Sequence, residues 1–109
     1  MKPAIWLGDS LERLREFPSD ARHDVGNELR LVQEGEQPSD WKPMPSVGLG
    51  VSEIRVRAGG AFRLVYVAKF VEAVYVLHAF QKKSQKTSRV DLELARRRFR
   101  TLIRDRRQR

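Results

Sequence analysis

The sequence contains no cysteine and only two histidines, His23 and His78. Without cysteine, the chain cannot form disulfides, thiolate zinc sites, iron–sulfur clusters or a cysteine nucleophile. Two histidines are too few for a histidine-rich metal cage, so we expect neither a metal nor a cofactor. No apolar run approaches the roughly 20 residues of a membrane span, and the N-terminus has no apolar signal-peptide core. We therefore expect a cytoplasmic protein that has no membrane partner.

The 109 residues predict one domain, 1–109, with a strongly uneven charge distribution. Residues 1–54 have a net charge of −4 and residues 55–109 a net charge of +12, which gives +8 in total. Positive charge confined to one half indicates a polyanionic partner, most simply a nucleic acid. The alternative is a solvated basic face that only aids solubility. Residues 105–109, if disordered, would form a mainly basic tail.

The hydrophobic pattern predicts an α+β domain in the order β-α-α-β-β-β-α. Residues 2–7 read as a short edge strand, and Asp9 or Ser10 begins a helix that Pro18 ends. The next helix has four apolar residues at helical spacing and stops at Gly35. These four residues are Ala21, Val25, Leu29 and Val32. We expect the two helices to form a hairpin on one face of an antiparallel sheet.

The second half of the chain has three strand signals, at residues 51–57, 61–69 and 73–80. Residues 35–50 before them have the proline and glycine content of a loop, with Trp41 and Met44 as apolar anchors. Ser88 is the expected cap of a last helix with an apolar stripe. That stripe consists of Leu92, Ala95, Phe99 and Leu102.

The apolar pattern also predicts how the strands pair. A three-residue loop at residues 58–60 places Arg57 opposite Ala61 and Arg55 opposite Arg63, whereas a two-residue loop would mix apolar and charged side chains on both faces. In the next hairpin, a pair between Lys69 and Glu72 would extend to Leu64 opposite Leu77 and Arg63 opposite His78. One face then carries the residues that contact the helical hairpin: Ile54, Val56, Phe62, Leu64, Tyr75 and Leu77. The other carries Arg55, Arg57, Arg63 and His78 beside Val65, Val67, Val74 and Val76, with the last helix as cover for the valines.

Arg55 beside Arg63 needs an explanation, because like charges opposite each other on a sheet repel. Glu53 could neutralise part of this cluster, in which case the arginines belong to an ion-pair network on a solvated face. A bound anion is the other interpretation, since the arginine fork fits phosphate. Further cations follow the last strand, at Lys82, Lys83 and Lys86.

Four passages of this sequence resemble a known superfamily. They are residues 41–44 (WKPM), 50–55 (GVSEIR), 62–66 (FRLVY) and 76–87 (VLHAFQKKSQKT), and the last of these is the most specific. Together they resemble the RelE/HigB/ParE superfamily of type II toxin–antitoxin toxins, in particular its phage-derived HigB-like branch. The resemblance extends over nearly the whole chain and implies the RelE-like α+β fold.

The resemblance implies a metal-independent endoribonuclease that cleaves mRNA, usually in the ribosomal A site. It also implies a helix-turn-helix antitoxin as partner, in a hetero-oligomer with the toxin. By position, Arg63 matches the active-site arginine of RelE-like ribonucleases, and Lys82 and Lys83 match their second catalytic cluster. The RelE type uses a tyrosine in its C-terminal segment, and no tyrosine follows Tyr75 here.

In the expected reaction, the ribose 2′-hydroxyl attacks the adjacent phosphate, so the protein must supply positioning, charge stabilisation and proton transfer. We expect Arg55 and Arg63 to hold the phosphate, and Lys82 and Lys83 to bind it or transfer protons. His78 would be a base or an acid, since histidine titrates near neutrality. The expected RNA-binding residues are Arg57, Phe80, Gln81, Lys86 and Arg89, with Phe80 stacking on a base.

Two other functions are compatible with the same sequence. The ParE branch shares the fold but inhibits DNA gyrase without cleaving nucleic acid, so the basic face could be a protein-docking surface. A plain nucleic-acid-binding module is the third interpretation. Convergence of cations on one point would favour the ribonuclease, because a docking protein does not require it.

Overall fold

The computed structural model describes residues 1–108 and contains a five-stranded sheet with helices on both faces. The strands have the spatial order β1-β5-β4-β3-β2. The elements are β1 (Ala4–Trp6), α1 (Ser10–Arg15), α2 (Ser19–Gln33), β2 (Trp41–Pro43), β3 (Val51–Arg57), β4 (Ala61–Val67), β5 (Val74–Lys82) and α3 (Arg89–Arg107). The predicted α+β fold is confirmed, with one strand more than expected.

The two edge strands show where the prediction was incomplete. Three residues of the expected loop form β2, which runs antiparallel to β3 and places Lys42 opposite Glu53. Trp41 is 38% exposed on this edge, so it does not anchor the segment, whereas Met44 is buried as expected. At the other edge, β1 runs parallel to β5, and the sheet is therefore mixed rather than entirely antiparallel.

The helices form the outer layers. On one face, α1 packs on β5 while α2 packs on β3 and β4. The four predicted apolar residues of α2 are its buried residues, which confirms the assigned face. On the other face, α3 packs on β5 and buries Ala95 and Leu102 in a second apolar cluster that includes Val65 and Val67. The last helix therefore covers these two valines, as predicted.

The first hairpin has the predicted register. Arg57 lies opposite Ala61, and Arg55 lies opposite Arg63. Gly59 in the three-residue loop has a φ of +72°, a backbone conformation that favours glycine. The apolar alternation of β3 was sufficient here because one face of this strand is apolar and the other charged.

The predicted register of the second hairpin is wrong. Arg63 lies opposite Phe80 rather than His78, and the pairing shifts between Val65 and Tyr66. His78 and Val76 are both paired, so Leu77 is the extra residue of a β-bulge. As a consequence, Tyr75 and Leu77 belong to the cluster under α3, and the valines Val74 and Val76 to the cluster under α1 and α2.

Arg98 of α3 holds the bulge in place. Its Nη1 donates to the Leu77 carbonyl at 2.9 Å, and its Nη2 donates to Oδ1 of Asp9, the residue before α1, at 2.6 Å. This contact lowers the pKa of Asp9 below its ordinary value. Gly8 permits it: a Cβ there would lie 2.5 Å from the Arg98 guanidinium carbon. One partly buried arginine thus connects α1, β5 and α3.

The C-terminal basic segment continues α3 as far as Arg107, and Arg109 lies outside the described residues. Arg106 donates to both carboxylate oxygens of Glu72, at 2.8 and 3.0 Å, and its guanidinium lies 3.7 Å from the Phe70 ring centroid. These hydrogen bonds, with a smaller contribution from Tyr75, lower the pKa of Glu72 to about 2. The end of α3 is therefore fixed to the turn between β4 and β5.

Candidate functional site

A cleft of about 500 Å³ opens on the α3 side of the sheet, where β2, β3, the end of β5 and the loop before α3 meet. We call it the main cleft. Four cations and one carboxylate line it, together with three uncharged polar side chains. These residues are Lys42, Arg55, Lys82, Lys86, Glu53, Ser46, Gln85 and Thr87.

Strand geometry explains how distant residues meet in the main cleft. Glu53 and Arg55 are alternate residues of β3, so both point to the α3 side, and Lys42 lies opposite Glu53 on β2. Lys82 lies at the end of β5, opposite Ala61. The loop that follows β5 then returns toward β2 and brings Lys86 to the same opening. Three segments of the chain therefore contribute positive charge to one site.

Arg63 lies below this surface rather than in it. The residue is 4% exposed, and its Nε lies 3.0 Å from Oε1 of Glu53. Its Nη1 donates to the Phe62 carbonyl at 3.0 Å. Burial lowers the pKa of Arg63, and the charge of Glu53 opposes this effect. The expected partial neutralisation by Glu53 is thus present, and it acts on Arg63.

His78 is completely buried and does not line the main cleft. Its Nε2 lies 2.7 Å from Oδ1 of Asp91, whose other carboxylate oxygen accepts a hydrogen bond from the Ser88 hydroxyl. Burial lowers the pKa of His78, and the contact with Asp91 partly offsets this shift. Phe80 stacks on the imidazole at 5.2 Å and is itself buried. These residues join the sheet to the start of α3.

Lys83 and Gln81 line a second, smaller cleft. This cleft measures about 320 Å³ and is also lined by Arg13, Phe80 and Asp91. Lys82 is the last residue of β5 and Lys83 follows the strand, and the two side chains line different openings. The predicted cationic cluster after β5 is therefore divided between two clefts.

The remaining predicted RNA-binding residues lie apart from both clefts. Arg57 is exposed at the end of β3, in a depression that it shares with Asp24 and Glu28 of α2. Arg89 is the exposed first residue of α3. Arg55 also lines the depression that contains Arg57, whereas Arg89 lies apart from both Arg55 and Lys82.

Within residues 1–108, no group of three or more histidine, cysteine or acidic residues is arranged to hold a metal ion. Across the same residues, no helix has the length and hydrophobicity needed to cross a membrane.

The family follows from the comparison with known sequences and structures. Residues 12–100 match the family described as phage derived protein Gp49-like (DUF891). The chain belongs to this family. The crystal structure of the isolated E. coli RelE toxin is similar to it, with a TM-score of 0.59 and 23% identity over 89% of this chain and 98% of that chain. A comparison with curated protein sequences finds no match. The resemblance to the RelE/HigB/ParE superfamily is thereby confirmed for the family and the fold.

Sequence reasoning did not identify Lys42, Gln85 and Thr87 of the main cleft as site residues in this Gp49-like chain. Each lies within a passage that carries the family resemblance, which was the available signal. Lys42 was overlooked because its segment reads as a loop, and a loop residue has no predicted direction until β2 pairs with β3.

Proposed function

We propose that this Gp49-like protein is the toxin of a type II toxin–antitoxin module and that it cleaves mRNA in the ribosomal A site without a metal ion. The convergence of Lys42, Arg55, Lys82 and Lys86 on the main cleft carries this proposal. Cations from three separate segments meet at one opening, which suits a localised phosphate-binding site better than diffuse attraction to a polyanion. The similarity in fold to the RelE toxin supports the same function.

In the proposed reaction, the 2′-hydroxyl of a ribose attacks the adjacent phosphate to give a 2′,3′-cyclic phosphate and a free 5′-hydroxyl. Negative charge increases on the phosphate oxygens in the transition state. Arg55 and Lys82 stabilise this charge, and preorganised charges of this kind supply most of the rate enhancement in many enzymes. Lys42 and Lys86 bind the neighbouring phosphates and align the chain for in-line attack.

The other predicted residues have less direct roles in this proposal. Arg63 acts below the site by holding Glu53, and His78 and Phe80 fix the start of α3 against the sheet. Lys83 and Gln81 contact RNA from the second cleft, while Arg57 and Arg89 provide longer-range attraction. Because His78 has no exposed surface, it does not contact a substrate directly. We therefore assign catalysis to the residues of the main cleft.

A helix-turn-helix antitoxin is the proposed partner. A protein with a net charge of +8 and an open cationic cleft would act on cellular RNA unless the cleft were blocked or distorted. We therefore expect a toxin–antitoxin hetero-oligomer in the cytoplasm, which dissociates to release the active protein.

The test is to incubate the purified chain with translating ribosomes and to map new RNA 5′-ends. We expect 5′-hydroxyl ends at defined positions in the A-site codon. Arg55→Ala and Lys82→Ala should each lower the cleavage rate at least tenfold. Arg107→Ala, which removes a cation at the far end of α3, is the matched control and should leave the rate within twofold of the unmodified chain.

Two outcomes would replace this proposal. If ribosomal mRNA remains intact while the protein blocks supercoiling of relaxed plasmid by gyrase, the protein is a ParE-like inhibitor. If it does neither and binds RNA without cleaving it, the nucleic-acid-binding module is the correct interpretation.

A further inference from the structure

Glu53 combines deep burial with unused hydrogen-bonding capacity. The residue is 5% exposed, and among residues 1–108 its side chain has one ion-pair partner, Arg63. That contact is an ion pair at 3.0 Å without an aligned hydrogen bond, so Oε1 accepts none. A buried carboxylate normally accepts several hydrogen bonds, because burying it without them is unfavourable. Its presence here therefore requires another explanation.

The small exposed part of Glu53 lies in the main cleft, between the cations. Lys42 is directly opposite on β2, and Arg55 is two residues along β3. A ligand that suits this arrangement carries an anionic group for the cations and a hydroxyl donor for the carboxylate. A ribonucleotide fits, because its 2′-hydroxyl is adjacent to the 3′-phosphate, whereas DNA lacks the hydroxyl.

We propose that Glu53 is the general base of the main cleft and accepts the 2′-hydroxyl proton; this inference rests on the proposed ribonuclease function. As that O–H bond breaks, O2′ forms a bond to phosphorus and the bond from phosphorus to O5′ breaks. The Lys82 ammonium gives a proton to the departing O5′. Solvent then takes the proton from Glu53 and returns one to Lys82, so neither an oxidant nor a metal is needed.

Arg63 is the positioning residue for this base. Its guanidinium pairs with the carboxylate form of Glu53 and fixes the side chain from the side opposite the cleft. The arrangement also explains why Arg63, which lies opposite Arg55, is buried, because its charge is paired with Glu53 within the sheet. His78 is completely buried and does not line the main cleft, so it does not reach the substrate.

The test uses the full chain and ribosomes programmed with a defined mRNA. Glu53→Gln retains the shape of the side chain but removes the base, so we expect the single-turnover cleavage rate to fall at least 100-fold. Binding to an mRNA with a 2′-deoxy residue at the cleavage position should be equal or tighter, since a negative charge has been removed. Glu53→Asp should recover part of the rate. Glu93→Gln, at an exposed position in α3, is the matched control and should cleave normally.

The pH dependence of the rate distinguishes chemistry from packing. In the unmodified chain, the rate should rise tenfold per pH unit on the acidic side, and this limb should be absent in Glu53→Gln. A Glu53→Gln rate within threefold of the unmodified chain, or a missing acidic limb in the unmodified chain, overturns the inference. The pH profile of the unmodified chain tests the inference even if Glu53→Gln does not fold. Cleavage that depends on Arg55 but not on Glu53 would refute this inference alone, whereas no cleavage by the unmodified chain would refute the proposed function.

Discussion

Nε2 of His78 lies 2.7 Å from Oδ1 of Asp91, and this contact joins the centre of the sheet to the first turn of α3. The backbone N–H of Asp91 donates to the hydroxyl of Ser88, the N-cap residue of that helix. A helix start is thus fixed both by its own cap and by a buried imidazole. The loop that carries Lys86 ends at this point, so the contact also limits how far one wall of the main cleft can move.

The first prediction concerns the pH dependence of stability. Burial lowers the pKa of His78 below its ordinary value of 6.5, so the unfolded chain gains a proton at a higher pH than the folded chain. The free energy of unfolding should therefore keep the whole contribution of neutral His78 above about pH 6.5 and should decrease as the pH falls below that value. Urea denaturation between about pH 5 and 8 measures this slope. His78→Gln should flatten it and the exposed His23→Gln should not; equal slopes in both variants would contradict the prediction.

The second prediction isolates the contact between Gly8 and Arg98. Gly59 has a φ of +72° with no atom within 4 Å of an added Cβ, so Gly59→Ala should cost about 1 kcal/mol from backbone strain alone. Gly8 has a φ of +55°, and its added Cβ would also displace the Arg98 guanidinium. We expect Gly8→Ala to destabilise the chain by about 2 kcal/mol or more. Thermal denaturation of both variants provides the comparison, and equal losses would show that Arg98 adjusts without cost.

The third prediction is a stabilising substitution. Gly26 lies within α2, and nothing lies within 4 Å of the position of its missing Cβ. Alanine is favoured over glycine in a helix interior by about 1 kcal/mol, so Gly26→Ala should raise the free energy of unfolding by that amount. Gly35 ends the helix with a φ of +88°, and Gly35→Ala should instead lower it. A loss of stability in Gly26→Ala would contradict this prediction.

The fourth prediction concerns the salt dependence of RNA binding. Each cation that neutralises a phosphate of single-stranded RNA contributes about 0.7 to the slope of log affinity against log salt concentration. Lys82→Ala and Arg55→Ala should each reduce the slope by that amount, whereas Arg107→Ala should leave it nearly unchanged. Fluorescence anisotropy between roughly 50 and 200 mM salt measures these slopes. Similar reductions in all three variants would indicate diffuse attraction without a site.

The local sequence pattern was sufficient to predict part of the candidate site. The pairing of Arg55 with Arg63 followed from a three-residue loop and from a strand with one apolar and one charged face. Local pattern did not separate Lys82 from Lys83, because β5 ends at Lys82 and Lys83 lies in the loop that follows. The sequence pattern placed Arg63 on the charged face and did not indicate its burial, which accompanies its ion pair with Glu53.

The sequence by itself determined the α+β fold class, the apolar face of α2, the register of the first hairpin and the presence of a strongly cationic half. In each case the spacing of apolar residues or the count of charged residues was compatible with a single structural interpretation. Only the tertiary structure decided the register of the second hairpin, because residues 73–80 are apolar toward both helical layers and their pattern is compatible with either face. The bulge at Leu77 resolves this choice, and Arg98 stabilises it from a helix far along the chain. The main cleft depended on the same long-range packing, since β2 and the loop after β5 acquire their positions only when the sheet and α3 are assembled.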